Sequence, residues 1–326
     1  MAMLSISVVI ATHNRAQLLR GTLDRLRTQA FAPGDEVIVV DNASTDATAD
    51  VINAAAEGFP VPLHRRHDLS PGKAPALNAA ISFARGDVLA LTDDDVLVAD
   101  DWIAIMRRLF EDPSVALVGG RVDPHWQRAA PAWLQVEEQG RYGTMSSPLA
   151  LLHYGEAQNL GQRTAVGANM AVRRAVFESL GGFAPNLGKR RGTLLGGEDH
   201  DLCQRAVNAG YHCEYRPELR VRHWVPAERT RLRYFLRWFF WSGITHAVME
   251  GATDSTGQTA EHPPASRLHW LRRFVLGSAA VPLQALSGRV SAAAAQAMDA
   301  AYALGYLAVR VGGRQSAQRD GGGFSG

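Results

Sequence analysis

Three consecutive carboxylates, Asp93, Asp94 and Asp95, offer the clearest chemistry in this chain of 326 residues. They follow an apolar run at 88–92 that predicts a buried strand. Adjacent like charges repel, so the cluster needs a cation or hydrogen-bond donors to compensate it. At the carboxyl end of a strand in an open α/β sheet, where ligands bind, a divalent metal that holds phosphate meets this need. A solvated acidic turn after an edge strand is the alternative that this segment alone leaves open.

Polar residues also follow two earlier apolar runs and begin one predicted helix. Thr12 follows the first run and Asp41 ends the second. Such turns can bind a nucleotide, with Asp41 accepting hydrogen bonds from a base imide or a ribose hydroxyl. Helix capping by Thr12 and an Asx-turn at Asp41 are the local alternatives. Lys73, which follows Gly72 at a helix entry, can either meet a phosphate or stay solvated.

These residues need a scaffold, and the hydrophobic pattern predicts one. Strand-like and helix-like stretches alternate over the first 120 residues, which is typical of βαβ units and a mostly parallel sheet. A helix from Glu198 and a strand at 219–223 continue the α/β pattern. The predicted strands are 6–11, 37–40, 61–64, 88–92 and 115–120, and the predicted helices are 16–29, 45–57 (with Ser44 as N-cap), 75–85 and 101–111.

Composition narrows the class of protein. A hydrophobic content of 46% and a charged content of 20% are those of a folded globular protein. The net charge of +2 is too small to indicate a nucleic-acid partner. Two cysteines, Cys203 and Cys213, cannot form a disulfide framework and indicate buried thiols in a reducing compartment. The first ten residues look like a strand and not a signal peptide, so we expect a cytoplasmic protein.

The sequence after Pro226 changes to an amphipathic helical pattern. We therefore expect a catalytic domain at 1–225, a helical extension at 226–311 and a disordered tail at 312–326. The uncharged run 274–288 is shorter than the roughly 20 residues of a transmembrane helix. Arginines interleave with aromatic residues in the extension, which favours peripheral attachment to an anionic surface at the inner face of the cell membrane. Packing of those aromatic residues onto the catalytic domain is the alternative.

Six short motifs together resemble one protein family. Each motif is common alone, but their order along the chain is specific. They resemble the donor-binding half and downstream motifs of the family 2 glycosyltransferases, which invert the anomeric centre of a nucleotide-diphospho-sugar. The resemblance covers about residues 4–240 and implies the GT-A fold, a Rossmann-like mostly parallel sheet with helices on both faces. The motifs are residues 7–15, 39–46, 92–95, 167–170, 196–202 and 223–226.

The resemblance also implies roles for particular residues. The catalytic base would be Asp199, at the start of the predicted helix. The metal would be Mn²⁺ or Mg²⁺, which suit oxygen ligands with one imidazole. The donor would be a UDP-sugar, and the acceptor a glycan or a lipid-linked molecule. The implied nucleotide-sugar contacts are Thr12, Asp41, Lys73, Asp93 and Asp95, the metal ligands are Asp94 and His223, and the acceptor-side residues are Asn169, Glu198 and Asp201.

One departure from the family bears on the product. Polymerising members carry a Q-x-x-R-W signature on a later helix, which neither Gln204-Arg205 nor Arg237-Trp238 reproduces. The sequence thus predicts single, non-processive sugar transfer in polysaccharide or glycolipid biosynthesis. Two alternatives remain: a catalytically silent subunit that binds nucleotide sugars or acts as a scaffold, and a sugar nucleotidyltransferase, whose G-G-x-G-[ST]-R motif is missing here.

Overall fold

The computed structural model describes residues 3–70, 72–189, 192–256 and 266–319. The chain divides into two compact units. The first unit contains Met1–Arg128, Val136–Arg191 and Glu198–Pro226, and the second contains Ala129–Gln135, Gly192–Gly197 and Ala227–Gly326. The sequence pattern does not predict that two short segments from the first 200 residues belong to the second unit.

Strands and helices alternate through the first unit, and three long helices form most of the second. The strands are β1 (Ile6–Thr12), β2 (Glu36–Asp41), β3 (Leu63–His67), β4 (Val88–Asp93), β5 (Val96–Val98), β6 (Val115–Trp126), β7 (Glu137–Glu138), β8 (Arg141–Tyr142), β9 (Gln158–Asn159), β10 (Met170–Arg173) and β11 (His212–Val225). The helices are α1 (Ala16–Arg27), α2 (Thr48–Ala56), α3 (Lys73–Ile81), α4 (Trp102–Leu109), α5 (Arg174–Ser179), α6 (Glu198–Asn208), α7 (Leu232–Thr256), α8 (Arg267–Leu286) and α9 (Val290–Arg319).

The main sheet confirms the predicted mostly parallel α/β fold. Its strand order is β3-β2-β1-β4-β10-β6-β11-β5, and β9 pairs with β11. Strands β1 to β4 are parallel, as are β6 and β11, whereas β10 runs antiparallel to both β4 and β6. Strands β1 and β2 are buried along almost their whole length, which explains their continuous apolar runs. Helix α1 buries Leu19, Leu23 and Leu26, which recur at helical spacing.

Tertiary pairing moves several predicted boundaries. Strands β6 and β11 are much longer than predicted, because their parallel pairing continues through polar positions such as Arg220 and Arg222. Helix α2 begins at Thr48, and Ser44 is not its N-cap. The Ser44 hydroxyl instead accepts a hydrogen bond from the Asn14 N–H at 3.0 Å. The Thr48 N–H donates to Asp46 at 3.0 Å.

The second unit is built around the packing of α7 and α8 on α9. Its core includes Ala247, Trp270, Ala303 and Tyr306. Helix α9 continues to Arg319, into the segment for which composition predicts a disordered tail, and 320–326 lie outside the described residues. None of the described helices is both long enough and apolar enough to cross a membrane.

Two glycines allow α7 and α9 to cross in backbone contact. A Cβ atom added at Gly305 would overlap the carbonyl oxygen of Phe240, and one at Gly243 would overlap that of Tyr302. Because these obstacles are backbone atoms, a side chain cannot rotate away to make room. The crossing therefore requires glycine on both helices.

We expect Gly305→Ala to separate α7 from α9 and to lower the free energy of unfolding by about 1–3 kcal/mol, the usual cost of overpacking. Urea denaturation followed by circular dichroism measures the change. Gly251→Ala is the matched control, since a Cβ atom there has no neighbour within 4 Å. Equal stability of the two variants would contradict the assigned role of the crossing.

Candidate active site

The carboxyl ends of three parallel strands meet at one edge of the main sheet. Strand β1 lies between β2 and β4, with Thr12 paired to Asp41 and Ala11 paired to Asp93. The turn from β4 to β5 carries Asp94 and Asp95. The sheet register thus places polar side chains from turns far apart in sequence next to each other.

Asp94 turns toward the loop that follows β1. Its carboxylate accepts a hydrogen bond from the Thr12 hydroxyl at 2.7 Å and another from the Arg15 guanidinium at 2.8 Å. The Asp94 side chain is only 5% exposed. Burial raises its pKa above the usual value, although Arg15 opposes the shift. The carboxylate predicted to bind metal is therefore held by protein donors on both oxygens.

Asp95, and not Asp94, lies beside His223. The His223 Nε2 atom is 3.2 Å from one Asp95 oxygen, and Arg15 donates to the other at 2.7 Å. One donor atom each from Asp93, Asp95 and His223 lies within 4.8 Å of the other two. The Nδ1 atom of buried His223 has no hydrogen-bond partner in the part of the chain that the structure describes. Two carboxylates and an imidazole with donor atoms this close together are a ligand set that fits Mn²⁺ or Mg²⁺.

Lys73 connects this cluster with a second acidic pair. Its ammonium donates to Asp93 at 2.6 Å, and both side chains are largely buried. Burial favours neutral Asp93, but the charge of Lys73, together with smaller contributions from Lys189 and His223, lowers the pKa of Asp93. Lys73 is also electrostatically coupled to Asp199 and Glu198. One cation thus serves the predicted donor-binding cluster and the predicted catalytic base.

Asp199 lies in the first turn of α6 with one oxygen held and the other unpaired. The Gly167 N–H donates to its Oδ2 atom at 2.8 Å, whereas its buried Oδ1 atom has no partner within the described ranges. Burial, reinforced by the Glu198 carboxylate, raises the pKa of Asp199 to about 7 against the attraction of Lys73. A carboxylate with this pKa and a free lone pair is suited to general-base chemistry near neutral pH.

The three residues predicted on the acceptor side have different surroundings. Glu198 is buried next to Asp199 and raises its pKa. Asp201 pairs with Arg205 one helical turn away at 2.6 Å, so it does not tune Asp199 as its sequence position suggests.

Asn169 is fully buried. It donates to the carbonyl oxygens of Arg121 and Leu219 at 3.0 and 2.8 Å and accepts from the Trp102 indole at 2.8 Å. Two of these bonds hold the backbones of β6 and β11 and the third holds the Trp102 side chain, and contact of Asn169 with an acceptor stays a prediction.

Asp41 is buried beside Thr12 at the end of β2. It accepts from the Ser44 N–H at 3.0 Å and from Arg65 at 2.9 Å. These bonds lower the pKa of Asp41 although burial opposes them. Both of its oxygens have protein partners, and contact with a nucleobase stays a prediction.

Arg15 is the site residue that the sequence reading missed. Its guanidinium bridges Asp94 and Asp95, and the side chain is 34% exposed. The signal was present, because adjacent parallel strands bring the turn after β1 to the acidic turn after β4. Three adjacent carboxylates require positive charge nearby, and here an arginine supplies part of the charge that the sequence pattern predicts for a metal ion.

Comparison with known proteins decides the family. Residues 7–181, more than half of the chain, match the profile described as Glycosyl transferase family 2. The chain belongs to this family. It is a glycosyltransferase with the GT-A fold, as the six motifs predict.

Named relatives and solved structures agree. A glucosyl-dolichyl phosphate glucuronosyltransferase of Haloferax volcanii is 26% identical over 251 residues, which cover 76% of this chain and 78% of that protein. An O-antigen chain rhamnosyltransferase of Salmonella typhimurium is 29% identical over 249 residues, 75% of this chain and 73% of the relative. A mannosyltransferase of Pyrobaculum calidifontis, solved with GDP-Man and Mn²⁺, superposes with a TM-score of 0.63 at 23% identity over 93% of this chain and 86% of that one.

Replacing Arg15 by Met should destabilise the metal-free glycosyltransferase by about 1–3 kcal/mol, since two buried carboxylates lose a shared charged donor. Urea denaturation in the presence of a chelator measures the loss, and Mn²⁺ should restore part of it. Arg20→Met is the control, because Arg20 is exposed on the same helix without an ion pair in the described residues. If both variants unfold at the same urea concentration, Arg15 does not compensate the cluster.

Proposed function

We propose that this glycosyltransferase is an inverting, metal-dependent enzyme that moves one sugar from a nucleotide-diphospho-sugar to an acceptor hydroxyl. The observation that carries the proposal is Asp199, a half-buried carboxylate whose Oδ1 atom has no partner among the described residues and whose pKa is raised to about 7. It is coupled through Lys73 to the Asp93 side of a site suited to a divalent cation. Inversion needs such a base to deprotonate the attacking hydroxyl.

The residues of the donor-binding half of the site would bind the ribose and the metal. We assign Asp93 to the ribose and Asp95 with His223 to the metal, since these two lie together while Asp94 is held by Thr12 and Arg15. A bound Mn²⁺ or Mg²⁺ would stabilise the negative charge that develops on the departing diphosphate. The solved mannosyltransferase with GDP-Man and Mn²⁺ supports this class of donor and metal. A UDP-sugar remains our preferred donor.

Lys73 performs two tasks in this scheme. Its ammonium holds Asp93 ionised, which keeps that carboxylate an acceptor for hydroxyl groups. Its charge also opposes the rise in the pKa of Asp199, so that the base is partly ionised at neutral pH. Asp199 can then take the proton of the acceptor hydroxyl on its unpaired oxygen.

The environment of Asp199 argues against a catalytically silent subunit. A carboxylate with a buried, unpaired oxygen lowers stability and gives no structural benefit in return. Carboxylates with a strongly shifted pKa are concentrated at catalytic sites. A sugar nucleotidyltransferase has no need of a base placed apart from the metal site.

Relatives support an acceptor in glycan assembly. These relatives are named for O-antigen chains and for a glucosyl-dolichyl phosphate, which is a lipid-linked sugar. We propose a glycan or lipid-linked acceptor, non-processive transfer, and peripheral association at the inner face of the membrane, where lipid-linked acceptors are exposed. A screen of nucleotide sugars with Mn²⁺, read by release of the nucleoside diphosphate, identifies the donor. Absence of release or transfer with every donor would contradict the proposal.

Metal dependence and the identity of the ligand can be tested together. Chelation should abolish transfer, and Asp95→Asn should weaken Mn²⁺ binding by about tenfold or more, because a charged ligand is lost. Asp94→Asn should retain most of the affinity, since Asp94 is bound to Thr12 and Arg15. Paramagnetic resonance of Mn²⁺ with nucleoside diphosphate measures both.

The pair of variants separates the two assignments. If Asp94→Asn loses more Mn²⁺ affinity than Asp95→Asn, the metal ligand is Asp94, the residue indicated by the family resemblance. Full activity in metal-free buffer would contradict metal dependence altogether. Circular dichroism shows whether either buried substitution has disturbed the fold.

Asp199→Asn should lower kcat by about 100-fold or more, the usual contribution of a general base. The amide keeps the shape and can still accept from Gly167, so donor and metal affinity should stay near wild type. In the wild type, kcat should fall as the pH drops through about 7, because protonation removes the base. Steady-state kinetics from pH 5 to 9 record both effects.

Asp201→Asn is the matched control, because Asp201 lies in the same first turn of α6 as Asp199 but pairs with Arg205. It should leave kcat and the acidic limb of the pH profile nearly unchanged. Near-normal kcat in Asp199→Asn would refute the assignment of the base. Loss of donor binding in that variant would give Asp199 a structural role.

A further inference from the structure

Helix α8 exposes a long apolar face. Five large apolar side chains, which we call the α8 stripe, are between 50% and 86% exposed. They recur at helical spacing over five turns, so they lie on one side of the helix. The α8 stripe consists of Leu268, Leu271, Val275, Leu276 and Leu286.

The opposite side of α8 already supplies the core contact of this unit. Trp270 stacks on Tyr306 of α9 with ring centroids 4.4 Å apart, and Gly277 packs against Ala300. The α8 stripe is therefore a second apolar face that the helix does not need for folding. Apolar surface of this extent and regularity marks an interaction site.

The aromatic segment at the start of α7 does not provide this surface. Phe235 is fully buried and Phe239 is 8% exposed. Phe235 packs edge-on against Trp133 within the second unit, with ring centroids 5.1 Å apart. The sequence expectation of membrane contact through these aromatics is wrong for Phe235 and Phe239. Most of the exposed large apolar residues in the described part of the second unit lie on α8.

The charged side chains that α8 itself carries on the stripe side are arginines, and the neighbouring Arg273 pairs with Asp299 of α9. Helix α8 contains no Asp or Glu, and exposed Arg272 lies between Leu268 and Leu276 on the stripe side. Exposed Arg289 follows the end of the helix. From residue 227 onward the sequence has eleven Arg against six Asp and Glu, a charge of +5, whereas the whole chain carries +2. An apolar stripe with arginines on and beside it complements an anionic lipid surface.

We propose that α8 lies in the plane of an anionic bilayer surface, with the α8 stripe inserted at headgroup depth and Arg272 and Arg289 bound to lipid phosphates. This inference rests on the membrane location proposed above and is independent of the chemistry of sugar transfer. A second copy of the chain fits the stripe less well. Two stripes in contact would bring two Arg272 side chains together, and α8 offers no carboxylate to pair with them.

Flotation of the full chain with vesicles of phosphatidylcholine, alone or mixed with phosphatidylglycerol, tests the proposal. The wild type should float with the anionic vesicles, and less so as salt increases. Both Leu271→Ser with Leu276→Ser and Arg272→Glu with Arg289→Glu should lower the partition coefficient by about tenfold or more. Met3→Ser and Arg20→Glu, which change exposed residues of the first unit, are matched controls that should float like the wild type.

Three outcomes would overturn the proposal. Stripe variants that float like the wild type would show that α8 is not the membrane contact, although the protein binds membranes. A wild type that does not float would contradict both. A concentration-dependent dimer in sedimentation velocity that the leucine variant abolishes, without flotation, would assign the stripe to a second copy. Hydrolysis of nucleotide sugar without vesicles should be equal in all variants, and its absence in the wild type would count against the proposed enzyme and not against α8.

Discussion

The first unit of this glycosyltransferase depends on positive side chains that offset the negative charge of a cluster of aspartates. Asp93, Asp94 and Asp95 stand side by side at a strand end, and basic side chains compensate all three. Lys73 pairs with the first, Arg15 bridges the second and third, and a histidine from β11 approaches the third. These partners come from separate strands and helices, so the charges can coexist only when the sheet is complete. The fold and the site are therefore stabilised by the same contacts.

The same arrangement gives neighbouring carboxylates different chemical characters. Asp93 stays ionised because the Lys73 ammonium touches it. Asp199 receives weaker help from that ammonium and is close to Glu198, so its pKa rises to about 7. Pairs of acidic groups whose environments separate their pKa values are how enzymes assign acid, base and ligand roles. Here the separation is between the donor side and the acceptor side of the proposed reaction.

The second unit uses its apolar residues in two ways. Gly243 and Gly305 let α7 and α9 approach so closely that their backbones are in contact. Helix α8 packs on α9 through Trp270 and retains another apolar side. A helix that is apolar on two sides has no single amphipathic direction, so sequence periodicity could not show which side is buried.

The sequence by itself determined the family, the α/β class and the residue types of the site. Continuous apolar runs require strands buried on both faces, and such strands occur in mostly parallel sheets. Parallel strands align their carboxyl ends, so polar turns at Thr12, Asp41 and Asp93 had to come together. These conclusions depend only on local pattern and on chain geometry, which a single sequence contains.

Only the tertiary structure decided which partners each carboxylate has. Asp94 and Asp95 are adjacent, and no sequence pattern distinguishes them; the turn from β4 to β5 directs one toward Arg15 and Thr12 and the other toward His223. Likewise Asn169 fits an acceptor-side motif, yet burial commits its amide to strand backbones. Direction of a side chain, depth of burial and long-range partners arise from packing between distant segments, and they set the charge and the availability of each group.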